Sequence, residues 1–354
     1  MRLVVVPGDG IGPEITAATM AVLRAADARF GLGLTFEEER AGREAMARDG
    51  TSLRPELLEA VKAADGLVLG PVDSIGLGDP SKGEINPSGF FRRKLDLYAN
   101  IRPARTYPGV RNPLSKEFDL VIARENTEGF YADRNMEEGN AEIRVTPDVV
   151  VSMRRITWGC CERIARAAFR LAARRRKKVT AVHKANVLRK GDGMFLDACR
   201  AVAKDFPEVT LDTVIVDAMA ALLVRDPARF DVIVTTNMFG DILSDLTAEL
   251  SGSIGLGGSI NAGDRYAMAQ AAHGSAPDIA GQDKANPISL ILSAAMLLSW
   301  HAERTGNNAF ASAAGAIEQA VAASVAAGES TRVLGCSLGT AAAGRAIAAR
   351  VAAG

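Results

Sequence analysis

Residues 7–14 read PGDGIGPE and directly follow the apolar run LVVV at residues 3–6. An apolar strand, then glycines, then a helix is how dinucleotide-binding enzymes build their phosphate loop. That loop needs G-x-G-x-x-G, with an acidic residue about twenty positions further on. Here the glycines fall at every second position, and the candidate glutamates at 37–39 come too late. The spacing therefore argues against a Rossmann loop, and the glycines need another explanation.

Composition limits the kinds of partner that we expect. The chain has 354 residues, of which 42 basic ones balance 42 acidic ones, and only 5% are aromatic. This length suffices for a large α/β unit or two domains. Zero net charge and few aromatic residues argue against binding to nucleic acid or an anionic membrane.

Other bulk features concern the cellular compartment. No stretch approaches roughly eighteen uninterrupted apolar residues, so we expect neither a transmembrane span nor a secretory signal. The four cysteines have no zinc or disulfide spacing. We therefore expect reduced core thiols in a cytoplasmic protein.

Strand-length apolar runs alternate with helical periodicity along most of the chain. They lie at residues 67–69, 120–123, 179–182, 214–216 and 232–234. This pattern predicts a parallel α/β fold with crossover helices.

One segment differs from this pattern. Residues 135–146, NMEEGNAEIRVT, are polar and are interrupted by a glycine. They are either a loop or a β-arm that reaches a partner chain, and composition alone favours the loop.

The stretch at residues 230–250, FDVIVTTNMFGDILSDLTAEL, carries the most chemistry. A strand is predicted to give way to a helix near Gly240, which puts Asp241 and Asp245 on one helix face. Like charges at this spacing repel, and a divalent cation with oxygen ligands, Mg²⁺ or Mn²⁺, would relieve the repulsion. Asp217, after another predicted strand, is a candidate third ligand. The alternative is one acid at a helix N-terminus and one solvated acid.

Two strand ends carry candidate groups for proton transfer. The strand VTAVHK delivers Lys184 at its C-terminal end, where α/β enzymes place functional groups. Near a bound dication such a lysine is a plausible base at neutral pH. The strand LVIARE is followed by NTEGFY, in which Tyr131 is a candidate general acid. The alternatives are an exposed strand-end lysine and a tyrosine used for packing.

Three arginines flank these segments. Arg92 lies on a helix that begins near Ser88, where Phe91 would face the core and direct Arg92 toward a cleft. Arg102 follows that helix and Arg124 ends the strand LVIARE. Together they could bind two carboxylates in bidentate fashion, and the alternative is three separate surface arginines.

A loop at residues 271–287, AAHGSAPDIAGQDKANP, is rich in small residues. Its Asp278 could accept both hydroxyl groups of an adenosine ribose, and it would repel a 2′-phosphate and so select NAD over NADP. Taken alone this is a weak motif, because loops with Gly, Pro and Asp are common.

Six segments, in this order and spacing, resemble the β-decarboxylating dehydrogenases of isocitrate, 3-isopropylmalate, homoisocitrate and tartrate or D-malate: PGDGIGPE, LDLYANIRPA, RENTEG, HKANV, FGDILSD and HGSAPDIAG. The resemblance covers nearly the whole chain. It implies two α/β domains that share a mostly parallel twisted sheet, which is not a Rossmann fold. A large cofactor-binding domain would comprise residues 1–99 and 252–354, and a small domain residues 100–251 with the dimer interface and a β-arm near 135–146.

The resemblance also implies roles for individual residues. Tyr131 resembles the acid that protonates C3 after decarboxylation, and Lys184 resembles the base that takes the C2 hydroxyl proton in the partner's active site. The implied metal ligands are Asp241, Asp245 and, across the interface, Asp217. The implied substrate-binding residues are Arg92, Arg102, Arg124, Asn86, Ser88 and Asn186. The implied NAD-binding residues are Ile11, His273, Gly274, Ser275, Ala276, Pro277, Asp278, Ile279 and Asn286.

The implied activity is the NAD-dependent oxidative decarboxylation of a 3-substituted (2R)-malate, a hydroxy-di- or tricarboxylate, by a homodimer with shared active sites. In such enzymes Mg²⁺ or Mn²⁺ acts as a Lewis acid on the C2 oxygen. The alternative is a non-catalytic regulatory subunit, a type that the isocitrate branch contains. Such subunits lose catalytic positions, whereas Tyr131, Lys184 and all three aspartates are present here.

Some positions depart from the family pattern. Isocitrate enzymes carry Ser-x-Asn where this chain has Asn86 and Ser88, and isopropylmalate enzymes carry Leu-Leu where it has Ser88 and Gly89. Gln270 replaces a glutamate near the nicotinamide. The subgroup markers differ as well: RENTEG and HKANVLRKGDGMFLDACR resemble isocitrate or homoisocitrate enzymes, DAMAALLVRDPARFDVIVT resembles isopropylmalate enzymes, and RPARTYPGVRNPL resembles tartrate/D-malate enzymes.

Overall fold

The structure is a computed structural model that describes residues 1–73, 77, 79–131 and 141–354. The described helices are α1 (Gly12–Phe30), α2 (Arg43–Asp49), α3 (Pro55–Ala63), α4 (Pro87–Lys94), α5 (Trp158–Ala173), α6 (Gly191–Ala203), α7 (Val216–Arg225), α8 (Asn237–Leu250), α9 (Ile288–Thr305), α10 (Asn308–Ala326) and α11 (Thr340–Ala353). The described strands are β1 (Arg2–Val6), β2 (Thr35–Glu38), β3 (Gly66–Leu69), β4 (Ala99–Arg105), β5 (Asp119–Glu125), β6 (Glu142–Thr146), β7 (Val149–Ser152), β8 (Lys178–His183), β9 (Thr210–Ile215), β10 (Val232–Thr235), β11 (Ile260–Ala262) and β12 (Ala267–Gln270).

Ten of the described strands form one continuous sheet, in the order β2-β1-β3-β12-β11-β4-β5-β10-β8-β9. The pairs on either side of the centre are parallel, whereas β12/β11, β11/β4 and β4/β5 are antiparallel. This order differs from the Rossmann order 3-2-1-4-5-6. The predicted α/β fold with a mostly parallel sheet is confirmed.

Helices cover both faces of the sheet, and this explains why its strands are apolar on both sides. In β1, Leu3 and Val5 pack into the core formed with α1, α9, α10 and α11, whereas Val4 and Val6 pack on the other face with α3 and α4. In the second half of the sheet, α5 and α6 cover one face, and α7 and α8 cover the other. The domain boundaries at 99/100 and 251/252 stay predictions.

Within the described part of the chain, α10 is long and apolar enough to cross a membrane by length and composition alone. Its residues Phe310, Ile317 and Val321 are buried in the core that also contains α1 and α9. Helices in protein cores often have this length and apolar composition as well.

The glycines of PGDGIGPE allow two loops to approach each other closely. Gly10 has φ +59°, and a Cβ there would lie 1.9 Å from the Ser275 carbonyl oxygen. The next residue, Ile11, donates its backbone N–H to that oxygen at 2.9 Å. Asp9 is buried and accepts backbone N–H bonds from the start of α2 and from the loop after β3, both at 2.8 Å. The motif therefore joins the first turn to the loop expected to bind adenosine.

The predicted arm at residues 135–146 lies partly outside the described residues, which resume at 141. Residues 142–146 form β6, which pairs antiparallel with β7 in a separate two-stranded ribbon. Every residue of both strands is exposed. The loop that composition favoured is therefore wrong for residues 142–146, because pairing with β7 overrides local polarity.

The four cysteines are free, as predicted. Cys161 and Cys199 are core thiols, but Cys160 and Cys336 are only half-buried. The expectation of core thiols is therefore wrong for the latter two.

Candidate active site

The candidate acid and one candidate metal ligand are in direct contact. The Tyr131 hydroxyl donates to Oδ2 of Asp241 at 3.1 Å. The other carboxylate oxygen of Asp241 forms an ion pair with Arg124 and lies 3.5 Å from Nη1 of Arg102. Arg124 is buried and also donates from Nε to Oδ1 of Asn237 at 2.9 Å. Residues from β4, β5, α8 and the loop after β5 thus converge on one carboxylate.

Gly240 permits this convergence. Helix α8 begins at Asn237 and not near Gly240, so the predicted start is three residues late. A Cβ at Gly240 would lie 2.6 Å from Cγ of Arg124. The absence of a side chain therefore lets α8 pack directly on the stem of Arg124.

Asp245 lies one helical turn after Asp241 and shares Arg102 with it. Arg102 is 8% exposed, and its Nη1 donates to Oγ of Ser244 at 2.8 Å and to Oδ1 of Asp245 at 3.1 Å. Burial raises the pKa of Asp245, and Arg102 opposes that rise. Burial also acts to raise the pKa of Asp241, but the guanidinium groups of Arg124 and Arg102 lower it below its usual value. The two oxygen donors suit Mg²⁺ or Mn²⁺ by their chemistry.

The three arginines are not surface residues with separate partners. Arg102 and Arg124 meet at Asp241, and Arg92 contributes to lowering the pKa of the same carboxylate. Nη2 of Arg92 donates to Oε1 of Gln270 at 3.1 Å, and Oγ of Ser88 donates to the same oxygen at 3.0 Å. Gln270 therefore anchors the arginine and the serine of α4.

Asn86 has a structural role that was not among its predicted roles. Its side-chain oxygen accepts the Gly89 N–H at 3.2 Å and so caps the N-terminus of α4. Asn-Pro at the start of a helix is a recognised capping signal. Its binding of substrate stays a prediction.

Lys184 and Asp217 form a second cluster. Nζ of Lys184 donates to Oδ1 of Asp217 at 2.5 Å, and this bond lowers the pKa of Asp217. Between described residues, no hydrogen bond or ion pair joins this pair to Asp241, and no group of three or more acids, histidines or cysteines could hold a metal. The three aspartates are therefore not brought together within one chain. Asn186 is exposed in the turn after β8.

The loop at residues 273–279 has the features of a ligand loop. Pro277–Ile279 form a 3-10 turn, and Ala276 before it has φ +36°, a strained value for a residue with a side chain. Asp278 is exposed, and no hydrogen bond or ion pair of its side chain with another described residue exists. Burial lowers the pKa of His273, which keeps its imidazole neutral near pH 7.

The side chain of Asn286 indicates that this region suits a nucleotide. The residue is 5% exposed, and its Oδ1 accepts the Ile288 N–H at 3.1 Å. Its Nδ2 is buried and has no hydrogen-bond partner among the described residues. A buried donor without a partner is costly unless a ligand satisfies it. Together with the carboxylate of Asp278, this donor fits an adenosine group.

Sequence reasoning missed two buried acids in the motif RENTEG. Glu125 accepts the N–H and the hydroxyl of Thr127 at 2.8 and 2.6 Å. Glu128 accepts the N–H and the hydroxyl of Thr157, the N-cap of α5, at 2.8 and 2.6 Å. The two acids therefore fix the loop that leads to Tyr131. The available signal for Glu125 was the threonine two residues later, whereas Glu128 had no local signal, because Thr157 lies 29 residues away.

Comparison with known proteins identifies the family of the chain. The family model for isocitrate/isopropylmalate dehydrogenase matches residues 2–347. The chain belongs to this family. It is 42% identical over 340 residues to 3-isopropylmalate dehydrogenase of Archaeoglobus fulgidus, covering 96% of each chain. It is 46% identical over 306 residues to isocitrate/homoisocitrate dehydrogenase of Thermus thermophilus, covering 86% of each.

A solved structure extends the similarity to the fold. The crystal structure of isocitrate dehydrogenase from Methylococcus capsulatus matches with a TM-score of 0.86 and 39% identity, over 99% of each chain. The predicted membership of the isocitrate/isopropylmalate dehydrogenase family is confirmed. Relatives named for different substrates are 42% and 46% identical to the chain, so the family is established and the subgroup stays open.

Proposed function

We propose that the chain is an active, NAD-dependent oxidative decarboxylase of a 3-substituted (2R)-malate. The observation that carries this proposal is the contact of Tyr131 with Asp241 among buried arginines. One small substrate could then reach a proton donor, a carboxylate that suits a metal ion, and arginines that suit carboxylates. A regulatory subunit would need none of these contacts.

The residues divide the reaction between them. Arg92, Arg102 and Arg124 would bind the substrate carboxylates, since a guanidinium matches a carboxylate with two parallel hydrogen bonds. Asp241 and Asp245 would hold Mg²⁺ or Mn²⁺, which when bound supplies Lewis-acid polarisation of the C2 oxygen.

Two proton transfers flank the loss of CO₂. Lys184 would take the C2 hydroxyl proton while hydride leaves C2 for NAD. The bond from C3 to its carboxylate then breaks, and Tyr131 would protonate C3.

NAD, and not NADP, fits the exposed carboxylate of Asp278. A ribose with two hydroxyls can donate to this carboxylate, whereas a 2′-phosphate would repel it. The buried Nδ2 of Asn286 lacks a hydrogen-bond acceptor among the described residues, and the ring nitrogens of an adenine would supply one. The neutral imidazole of His273 adds no charge that would favour a phosphate.

A homodimer with shared sites would unite the two clusters. Among the described residues Lys184 and Asp217 contact each other and not Asp241, although the proposed reaction would use all three. The ribbon of β6 and β7 also exposes Ile143, Val145, Val149, Val150 and Val151. A second copy of the chain would cover these apolar side chains. We propose a cytoplasmic location on the basis of composition.

The surroundings of Arg92 favour a polar or small group at C3 of the substrate. Ser88 and Gln270 present a hydroxyl and an amide there, and Gly89 adds no apolar surface. A branched hydrocarbon would cover these polar groups without offering them a hydrogen-bond partner.

A substrate panel tests the proposal. NADH formation is measured with Mn²⁺ and, in turn, isocitrate, homoisocitrate, 3-isopropylmalate, D-malate and tartrate. We expect turnover with at least one acid and a higher kcat/KM for acids with a polar or small C3 group. No NADH with any acid would refute an active enzyme, and highest kcat/KM for 3-isopropylmalate would refute the polar pocket.

A further inference from the structure

A buried carboxylate lies directly behind the proposed base. Asp192, on the first turn of α6, is completely buried. Its Oδ2 accepts the backbone N–H of Lys184 at 2.5 Å. Its Oδ1 lies 2.6 Å from Nη2 of Arg154 in an ion pair. The carboxylate therefore holds the backbone at Lys184, the residue that directly follows β8.

Arg154 connects this carboxylate to the elements of the other cluster. Its Nη2 also donates to Oγ1 of Thr236 at 3.2 Å, and Thr236 is the N-cap of α8. Its guanidinium lies over the rings of Phe130 and Phe239, at 5.8 and 5.9 Å from their centroids. Phe130 precedes Tyr131, and Phe239 is two residues before Asp241. Arg154 thus contacts the segment that carries Tyr131 and the start of the helix that carries Asp241.

Removing a carboxylate from water is costly, and pairing it with an arginine often does no more than offset that cost. A buried pair of this kind is therefore weak grounds for expecting extra stability. Its contacts suit a different task, because they fix the backbone of one residue relative to a helix.

We propose that Asp192, held by Arg154, is the positioning residue of Lys184. This role of Asp192 rests on the proposed function, in which Lys184 takes the C2 hydroxyl proton. A lysine side chain has several rotatable bonds, so a displaced backbone moves Nζ away from the hydroxyl. A misplacement of about 1 Å can slow a reaction roughly a hundredfold without loss of binding.

Two double variants isolate the hydrogen bond to Lys184. Asp192→Asn/Arg154→Met keeps an oxygen acceptor for the Lys184 N–H, whereas Asp192→Leu/Arg154→Met removes it. Neither variant leaves a buried charge without its partner. We expect the Leu variant to have a kcat at least about tenfold below that of the Asn variant, with KM for both substrates within about twofold. Equal kcat values would overturn the proposal.

Asp231 provides a matched control. It is also buried, and it accepts Nε of Arg175 and the backbone N–H of Arg176, each at 2.8 Å. It precedes β10, so it lies at the end of the sheet away from Lys184. Asp231→Asn/Arg175→Met and Asp231→Leu/Arg175→Met should differ in stability but have equal kcat. A drop in kcat for the Leu variant here as large as that at Asp192 would reduce the effect to general damage and overturn the proposal.

A further variant covers failure of the Leu variant to fold. Asp192→Glu keeps the charge for Arg154 but adds a methylene, which shifts the acceptor. We expect reduced kcat with unchanged KM, and wild-type kcat would contradict the proposal. Hydrogen exchange of the Lys184 amide gives a readout without turnover: it should be slow in the wild type and faster in Asp192→Glu. If the wild type makes no NADH, the proposed function fails, whereas an unprotected Lys184 amide in the wild type is the failure of this inference.

Discussion

Replacing Gly240 with alanine tests the contact between α8 and Arg124. An added Cβ would lie 2.6 Å from Cγ and 2.7 Å from Cβ of Arg124, and 3.2 Å from its Cα. These atoms are the fixed base of the side chain, so Arg124 cannot swing aside and α8 must move away from β5. Overpacking of this kind costs about 1–3 kcal/mol, which outweighs the gain of about 0.5–1 kcal/mol from replacing a glycine inside a helix. From the middle of each range we therefore expect a net loss of about 1 kcal/mol.

Gly315 is the matched control, because it lies inside α10 and nothing lies within 4 Å of a Cβ placed there. Gly315→Ala should raise stability by about 0.5–1 kcal/mol. Urea unfolding of both variants measures the difference at constant slope. Because a shift of α8 moves Asp241, Gly240→Ala should also lower kcat/KM, whereas Gly315→Ala should not. Equal stability of the two variants would refute the close packing of α8 on Arg124.

The other predictions concern cofactor, acid and assembly. NAD should be preferred over NADP by at least about tenfold, and Asp278→Lys with Ile279→Tyr should reduce or reverse that ratio of kcat/KM; no change would separate Asp278 from cofactor choice. Tyr131→Phe should retain substrate affinity but slow turnover, since it removes the hydroxyl and keeps the ring; a normal kcat would assign the C3 proton to another donor. Chains with Lys184→Ala, mixed with chains carrying Asp241→Asn, should recover roughly a quarter of wild-type activity after random exchange, because half the dimers are mixed and one of their two sites is intact. Absence of recovery after proven exchange would mean that both residues serve one site from within a single chain.

Local patterns predicted the fold well where periodicity and spacing were strong. The strands follow from short apolar runs, whereas the helix carrying Arg92 and the burial of Phe91 follow from helical periodicity. The glycine spacing also argued correctly against a Rossmann loop. In the structure Gly10 makes room for the backbone of Ser275. The start of α8 was less predictable, because Asn237 joins the helix through contacts with Arg124 from another strand.

Contacts between distant residues could not be read from the sequence. Gln270 accepts bonds from Ser88 and Arg92, which precede it by 182 and 178 positions. The departure from glutamate was visible, but its partners were not. In the same way Asp192 gave no local signal, because its role depends on where β8 ends and on Arg154. Pairing across such separations is decided by the packing of the whole sheet.

The most direct test of the central claim is to measure NADH and CO₂ together in one reaction. The enzyme is supplied with NAD, Mn²⁺ and a substituted malate labelled with ¹³C in the carboxylate on C3, once as prepared and once with excess EDTA. We expect one labelled CO₂ for each NADH, and neither product with EDTA, because Asp241 and Asp245 would hold the required cation. NADH without labelled CO₂, or undiminished turnover in EDTA, would contradict metal-dependent oxidative decarboxylation.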